Sequence, residues 1–366
     1  MAIEKKNICI LVEALGNGGA ERVAGINSQL FADLGHWVHL ATITDVVEYP
    51  YSGALFNLGL FKNDLNDPWD KVKRFYKFRK YLLANEMDIV LDYRIRKSAA
   101  KEWLIAKLLF KGLKTIYTVH NGDLSYSFPQ NSWLTQSIFR NSHINTMNAR
   151  IAEMIAAQYY LRDVSVIPYP VDLDKLHSDS LEEIDVEGPF VITAGRMKND
   201  VKQIDKLITA YSKSSLPGLG IKLLVLGRGK LVDSYKELAK SLHITVHVVF
   251  LGFDANPFKY FGRALFFLQC SKHEGLPMVL IESLACGTPV IAMDCETGPR
   301  EIIKGQENGI LVNKDDFKGF VRAMDSLVND QELYKKYKEN AIKSTQRYAL
   351  EKIAGQWQNL IEKISP

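Results

Sequence analysis

Two glutamates in the second half of the chain are spaced for ligand binding at the start of a helix. Glu274 and Glu282 are separated by seven residues and follow an apolar stretch, Ala264–Gln269, that predicts a strand. Free N–H groups at a helix N-terminus after a parallel strand suit a phosphate or diphosphate, and carboxylates beside them accept hydrogen bonds from hydroxyls. The alternative is that Glu274 is a favourable charge at a helix start and Glu282 a surface residue.

The sequence around these glutamates resembles a known signature. The segment EGLP at 274–277, Glu282 and the segment ACGTPVIA at 285–292 are similar to the E-x(7)-E region of retaining GT-B glycosyltransferases of family four. The resemblance implies that Glu274 contacts hydroxyls of the transferred sugar and that Glu282 holds the ribose of the nucleotide. It also implies that backbone amides between them meet the donor diphosphate, in the segment Gly275, Leu276, Pro277 and Met278.

A glycine-rich turn near the N-terminus predicts a close approach of the backbone to a ligand. Gly18 and Gly19 stand between the first strand and its helix, where no Cβ blocks the helix N-terminus. The turn lacks both the dinucleotide G-x-G-x-x-G spacing and the P-loop lysine. It resembles the GGAER loop of the same family, which implies that it faces the phosphate and sugar of the donor.

Three further side chains are candidates for the reaction. His120 ends the predicted strand Thr115–His120, and the resemblance implies that a histidine at this strand end contacts the donor sugar. Arg196 and Lys202 are cations that would offset the charge of a diphosphate and stabilise the leaving group. The family places its lysine five positions after the arginine, whereas Lys202 is six positions after it, so Lys198 remains an alternative.

The loop after the signature and the linker hold the remaining candidates. Thr297 is expected to line the donor site through its backbone, as in the similar loop of the family. Asp172 and Asp174 form a D-x-D pattern, but this pattern lies in a linker rather than at the end of a nucleotide-domain strand. The family does not need a metal, and no metal ligand or other cofactor is expected here.

Short apolar runs alternate with amphipathic segments along most of the chain, and this alternation predicts parallel sheets with helices on both faces. The predicted strands are 7–13, 37–44, 89–92, 115–120, 144–147, 164–168, 190–195, 221–227, 246–250, 264–269, 289–293 and 309–312. The predicted helices include 20–34, 70–85, 101–111 and 203–212.

Two such series predict an α/β protein with two doubly wound domains. The resemblance makes these a GT-B pair of Rossmann-like domains facing each other across a cleft. We place the acceptor-side domain at 1–168, the linker at Pro168–Asp174 and the nucleotide-sugar domain at 172–344. The C-terminal helix, 345–366, is expected to pack back on the first domain.

Composition excludes a collagenous, low-complexity or extensively disordered chain. The chain has 366 residues, 47% of them hydrophobic and 24% charged, with a formal net charge of +4, which is typical of a folded two-domain protein. No apolar run approaches the length of a membrane span, and the N-terminus lacks a signal-peptide pattern, so a cytoplasmic location is expected. The four scattered cysteines predict buried reduced thiols.

Positive charge is concentrated in the first half. Residues 71–114 contain thirteen lysines and arginines against four acidic residues, together with aromatic and apolar side chains. Basic amphipathic helices bind anionic bilayers, which predicts a peripheral position on the inner face of the membrane. The alternative is that the apolar residues are core and the cations their solvated face. No motif supports nucleic-acid binding.

Together these residues predict a retaining glycosyltransferase that moves a hexose or N-acetylhexosamine from a nucleotide sugar. The resemblance favours a UDP-linked donor and a lipid-linked or cell-surface polysaccharide acceptor, as in lipopolysaccharide biosynthesis. Three alternatives remain at this stage: a nucleotide-sugar epimerase of GT-B architecture, a binding module without catalytic activity, and a phosphorylase or synthase of soluble glucans.

Overall fold

The computed structural model describes residues 4–16, 18–63 and 67–365. Its contacts divide the chain into two compact units. The first unit consists of Met1–Pro170 with Leu350–Pro366, and the second of Val171–Ala349. The division therefore falls at Pro170 rather than at residue 168, and the second unit ends five residues later than the predicted boundary at 344.

The first unit is built on a seven-stranded parallel sheet in the order β3-β2-β1-β4-β5-β6-β7. Its strands are β1 (Asn7–Val12), β2 (Trp37–Thr42), β3 (Ala54–Asn57), β4 (Ile89–Asp92), β5 (Lys114–Val119), β6 (His143–Thr146) and β7 (Val164–Val166). Its helices are α1 (Gly19–Asp33), α2 (Pro68–Ala84), α3 (Ala99–Leu104), α4 (Ser132–Phe139), α5 (Ala149–Tyr159) and the C-terminal α14 (Leu350–Ile364).

The second unit has a six-stranded parallel sheet in the order β10-β9-β8-β11-β12-β13. Its strands are β8 (Phe190–Ala194), β9 (Lys222–Leu226), β10 (Val248–Gly252), β11 (Phe267–Gln269), β12 (Val290–Met293) and β13 (Gly309–Val312). Its helices are α6 (Leu173–Ser180), α7 (Ile204–Ser212), α8 (Val232–Ser241), α9 (Phe258–Phe261), α10 (Met278–Ala285), α11 (Pro299–Ile302), α12 (Phe317–Asn329) and α13 (Gln331–Thr345).

All twelve predicted strands are present, with ends shifted by up to three residues, and the doubly wound architecture is confirmed. The thirteenth strand, β3, was not predicted. It is a four-residue edge strand whose side chains are at most partly covered. Its apolar run, Ala54 to Phe56, is only three residues long and leads directly into the 3-10 turn Leu58–Phe61, so it lacks the length that marks a buried parallel strand.

Three predicted helices differ in detail. The segment 101–111 is a short α-helix, α3, continued by a π-helical turn at Ile105–Leu109. Gln203, predicted to be helical, lies at φ +47° and so precedes α7. The C-terminal helix begins at Leu350, because a 3-10 turn at Gln346–Tyr348 separates it from α13.

Apolar side chains cover both faces of each sheet, as buried parallel strands require. In the first unit α14 completes this core. The indole of Trp357, 1% exposed, packs edge-to-face on Phe31 of α1 with ring centroids 5.5 Å apart. The four cysteines are free, and burial raises the pKa of each thiol. Within the described residues, no helix is both long enough and apolar enough to span a membrane.

Candidate functional site

Glu274 stands at the centre of a polar cluster at the carboxyl end of β11. Its Oε1 accepts hydrogen bonds from Lys202 Nζ at 2.6 Å and from Gln269 Nε2 at 3.0 Å. The glutamate side chain is 12% exposed and the lysine 24%, so this ion pair is largely shielded from solvent. The structure therefore brings together two sequence-predicted residues that are 72 positions apart.

The loop before α11 holds this turn in place. Thr297, which is buried, donates its hydroxyl to the backbone carbonyl of Glu274. Gly298 follows at φ +96°, and a Cβ there would lie 2.8 Å from both the carbonyl oxygen of Gly275 and Cδ of Pro277. The predicted segment 274–278 and Thr297 thus form one packed loop pair, in which the threonine side chain as well as its backbone takes part.

Glu282 lies inside α10 and is buried, with 4% of its surface exposed. The alternative interpretation of Glu282 as a surface residue is therefore wrong. The helix begins at Met278, with Pro277 as its N-cap. A buried carboxylate is costly unless it is bonded, and Glu282 does interact with other groups of the chain.

Arg196 and Lys198 occupy a turn at the carboxyl end of β8, and both are exposed. The turn packs tightly on a second turn that follows β9, where a Cβ on Gly227 would lie 2.0 Å from the carbonyl oxygen of Gly195. Lys202 follows four residues after Lys198, at the end of a 3-10 turn, Asp200–Lys202. It, and not Lys198, has its ammonium on Glu274.

In the first unit, His120 is held through both ring nitrogens. Nδ1 lies 2.7 Å from the hydroxyl of Tyr169, and Nε2 lies 2.6 Å from Oγ1 of Thr118. Because Thr118 donates its hydroxyl to the carbonyl of Asp92 at 2.9 Å, Nε2 must donate to Thr118 and Nδ1 must accept from Tyr169. The ring also stacks on Tyr93, with centroids 4.8 Å apart.

These surroundings keep the imidazole neutral. Burial, aided by the charge of the Arg96 guanidinium, lowers the pKa of His120 to about 3. A neutral ring with both nitrogens engaged can orient neighbouring groups, but it has no proton to supply as an acid near pH 7.

The glycine turn before α1 is partly covered by the chain itself. Gly18 is the N-cap of α1 in extended backbone, and a Cβ on it would lie 1.8 Å from the carboxylate of Glu21. No atom outside the neighbouring residues would lie within 4 Å of a Cβ on Gly19. Open space for a ligand is therefore found at Gly19, whereas the space beside Gly18 holds a carboxylate.

Two members of the predicted basic surface are not at the surface. Arg94 pairs with Asp92 and Glu102 at 2.7 and 3.0 Å, and all three are buried. Arg96, 0% exposed, donates to four backbone carbonyls, including that of Thr118. The sequence could not distinguish these arginines from surface cations, because their burial also depends on distant groups, namely the carboxylate of Glu102 and the carbonyls of Thr118 and Ser127.

The D-x-D pattern has a local structural role. Asp172 is the N-cap of α6, and its carboxylate accepts the backbone N–H of Lys175 at 2.9 Å. Among the described residues, no three or more histidine, cysteine or acidic side chains are grouped as metal ligands.

Sequence reasoning missed Gln269, Tyr93 and Tyr169. Gln269 ends β11 and is 4% exposed. An amide at the end of an otherwise apolar strand is the signal that would have found it. The two tyrosines enclose His120 from strand ends that are distant in sequence, so no local pattern marks them.

Comparison with known proteins supports these assignments of fold. Residues 177–344, most of the second unit, match the family described as glycosyl transferases group 1. The chain is 26% identical over 357 residues, 94% of this chain and 95% of the relative, to the N-acetylgalactosamine-N,N'-diacetylbacillosaminyl-diphospho-undecaprenol 4-alpha-N-acetylgalactosaminyltransferase of Campylobacter jejuni.

Two solved structures share the fold over nearly the whole chain. A glycosyltransferase from Rickettsia africae superposes with a TM-score of 0.80 at 17% identity, covering 98% of each chain. Anabaena HepE in complex with UDP superposes with a TM-score of 0.77 at 18% identity, covering 98% of this chain and 100% of that one.

Two parallel α/β units of this kind define the GT-B fold class. Within the second unit, residues 177–344 match the glycosyl transferases group 1, and the first unit lies outside that match.

Proposed function

We propose that this glycosyltransferase moves a hexose or N-acetylhexosamine from a UDP-sugar to a lipid-linked or polysaccharide acceptor, with retention at the anomeric carbon. The observation that carries the proposal is the shielded contact of Lys202 and Gln269 with Glu274. It joins a cation suited to a diphosphate and a carboxylate suited to sugar hydroxyls at one strand end.

In this proposal Glu274 accepts hydrogen bonds from hydroxyls of the transferred sugar, and buried Glu282 accepts them from the ribose. Lys202 has three N–H donors, and Glu274 takes one, so the others are available to the diphosphate. Arg196 adds a second cation on the same connection.

The reaction proposed is a front-face substitution. The bond from the anomeric carbon to the diphosphate oxygen breaks, and its electron pair remains on the diphosphate. The acceptor hydroxyl oxygen forms the new bond on the same face, and its proton passes to the departing phosphate oxygen. Lys202 and Arg196 stabilise the negative charge that develops, without a metal ion or other cofactor.

The acceptor assignment is supported by the Campylobacter relative, whose name places its acceptor on diphospho-undecaprenol. The UDP assignment is supported by the complex of Anabaena HepE with UDP. We propose that the protein works in the cytoplasm, peripherally on the inner face of the membrane, with 71–114 as the contact. All nine lysines in that segment are exposed.

A donor screen tests this proposal. The purified protein is incubated with UDP- and GDP-sugars and a polyprenyl-diphosphate glycan in EDTA, and NMR reads the product's anomeric configuration. We expect transfer from one UDP-sugar with retention, and loss of about a hundredfold or more in Glu274→Gln.

Glu237→Gln, an exposed change on α8, is the matched control and should keep full activity. Inverted product, dependence on added metal, or epimerisation of the free UDP-sugar without transfer would each contradict the proposal.

A further inference from the structure

Exposed tryptophans form an unusual feature of the first unit. Trp69 and Trp133 are 75% and 76% exposed, and Trp103 is 44% exposed. They lie on α2, α4 and α3 respectively, the first two at the second residue of their helices. We call these three residues the tryptophan rim.

Sheet topology puts the rim on one side of the unit. α2, α3 and α4 connect β3 to β4, β4 to β5 and β5 to β6, and each step moves toward β7. Right-handed crossovers that step in one direction lie on one face of the sheet. Trp69 and Trp133, at the starts of their helices, also lie near the carboxyl edge of the strands. The exposed Trp37 begins β2 and so lies at the opposite edge.

The apolar surface continues along α2. Trp69, Val72, Tyr76 and Leu83 recur at helical spacing and are all exposed, while the opposite side of the helix buries its apolar residues in the core. Lysines border this stripe, at positions 73, 77 and 80. An exposed apolar stripe bordered by lysines is the pattern of a helix lying in a membrane interface.

The charge of this surface indicates which partner it binds. Arg94 and Arg96 are buried together with Asp92 and Glu102, so these four charges cancel and leave the excess of residues 71–114 on exposed lysines. Such a surface repels another copy of itself and attracts anionic lipid headgroups.

We infer that the tryptophan rim inserts into the interface of an anionic bilayer, while the lysines bind its headgroups. The inference rests on the proposed membrane contact and goes beyond it, because it assigns insertion to specific side chains. Two of them lie outside residues 71–114. Indole rings favour this depth, where the ring is in an apolar region and its N–H remains near water.

Vesicle binding by the full chain tests the inference. Sedimentation with phosphatidylcholine–phosphatidylglycerol vesicles should show affinity reduced about tenfold or more in Trp69→Ala/Trp133→Ala, because each indole buries apolar area in the bilayer. Trp37→Ala is the matched control and should bind as the parent does. In a Trp37→Phe background, brominated lipid should quench the emission of the rim, while buried Trp357 keeps its own.

Three other outcomes would contradict the inference. Unchanged affinity and no quenching, with binding lost when the lysines become glutamine, would overturn insertion and leave the membrane contact of the proposed function intact. Failure of the parent to bind vesicles overturns both. Self-association that the double variant abolishes, seen by sedimentation velocity without lipid, would assign the rim to a second copy instead.

A second, independent observation concerns Gln269. Its Nε2 donates to Glu274, yet its Oε1 is buried and has no hydrogen-bond partner among the residues that the structure describes. An amide that leaves one buried acceptor unpaired gains little stability from its position. The geometry points to Gln269 as a positioning residue that, with Lys202, orients the Glu274 carboxylate for the sugar.

This second inference rests on the proposed role of Glu274. The variant Gln269→Met tests the positioning role of Gln269 separately from that role of Glu274. Methionine keeps the length and burial of the side chain but removes both the donor and the unpaired acceptor. We expect kcat/KM for the donor to fall about tenfold while the midpoint of thermal unfolding does not fall. In a Glu274→Gln background, Gln269→Met should have little further effect.

If Gln269→Met lowers the midpoint of thermal unfolding as well as the activity, Gln269 is a structural residue and the positioning role is wrong. Full activity in Gln269→Met with an inactive Glu274→Gln overturns the positioning role alone. Full activity in Glu274→Gln overturns the proposed role of Glu274 itself.

Discussion

At the scale of single residues, the chemistry that we propose depends on two carboxylates that are shielded from water. Glu274 has a lysine and an amide on one oxygen, and Glu282 is buried in the helix that follows. A shielded carboxylate makes stronger hydrogen bonds to ligand hydroxyls than an exposed one, because water competes less.

Replacing Glu282 is expected to weaken donor binding. Glu282→Ala should raise the dissociation constant of UDP about tenfold or more, since hydrogen bonds to a charged partner are the strong ones. Calorimetry with UDP measures this. Glu282→Gln keeps the size of this buried side chain and removes only its charge, so it separates an effect on binding from an effect on folding. Unchanged UDP affinity in both variants would contradict the proposed role of Glu282 at the ribose.

His120 should make stability depend on pH. Its pKa is lowered to about 3 in the folded chain, whereas the unfolded chain has an ordinary histidine near 6.5. Between these values the unfolded state binds the extra proton, so stability falls as the pH is lowered from about 6.5, by about 1 kcal/mol per pH unit. Denaturant unfolding at pH 5 and pH 7 should show a smaller difference in His120→Gln than in the parent.

The same neutral ring predicts that activity between pH 6 and pH 8 does not follow titration of His120. An activity profile with a midpoint near 6.5 that His120→Gln abolishes would show instead that the histidine titrates in the working range.

At the scale of elements, the site depends on tight contacts between loops. The turn before α10 and the turn before α11 meet at Gly298, which is left-handed and has no room for a side chain. Local spacing indicates the helix start, but the close approach of the second loop supplies the reason for glycine.

Gly298→Ala is expected to cost about 1–3 kcal/mol of folding stability and to lower UDP affinity, because the new methyl group must displace the Gly275–Pro277 backbone. Gly220→Ala is the matched control. Its backbone is also left-handed, at φ +71°, but no atom beyond the neighbouring residues would lie within 4 Å of the new Cβ. It should cost only about 1 kcal/mol and leave UDP affinity unchanged. Equal losses in the two variants would mean that strain, and not the loop contact, decides the effect.

At the scale of the whole molecule, the chain crosses from the first unit to the second and returns. α14 supplies Trp357 and Gln358 to the first unit, and Gln358 accepts from His36 Nε2 at 3.0 Å. The last residues of the sequence are therefore part of the core built by the first ones.

Trp357→Ala should cost about 3–5 kcal/mol in the first unit, as expected for removing a fully buried indole. Hydrogen exchange followed by mass spectrometry should show faster exchange in β1 and α1 and unchanged protection in the second unit. Trp37→Ala, an exposed tryptophan of the same unit, should change neither. Faster exchange spread evenly over both units would contradict the independence of the two cores.

The parts of this protein that depend on local pattern could be predicted from the sequence. Twelve strands, the helix start beside Glu274 and the candidates Lys202 and Thr297 follow from apolar runs, glycine turns and a family signature, because those signals lie within a few residues of each other. The edge strand β3 was missed because its apolar run is only three residues long and leads directly into a 3-10 turn.

Tertiary structure decided what depends on partners distant in the chain. It paired Lys202 rather than Lys198 with Glu274, added Gln269, and left His120 neutral between two tyrosines. It also buried Arg94 and Arg96 while exposing the tryptophan rim. Burial and charge pairing are properties of the packed chain, so residue type and spacing alone determined which groups were available, and packing determined which of them meet.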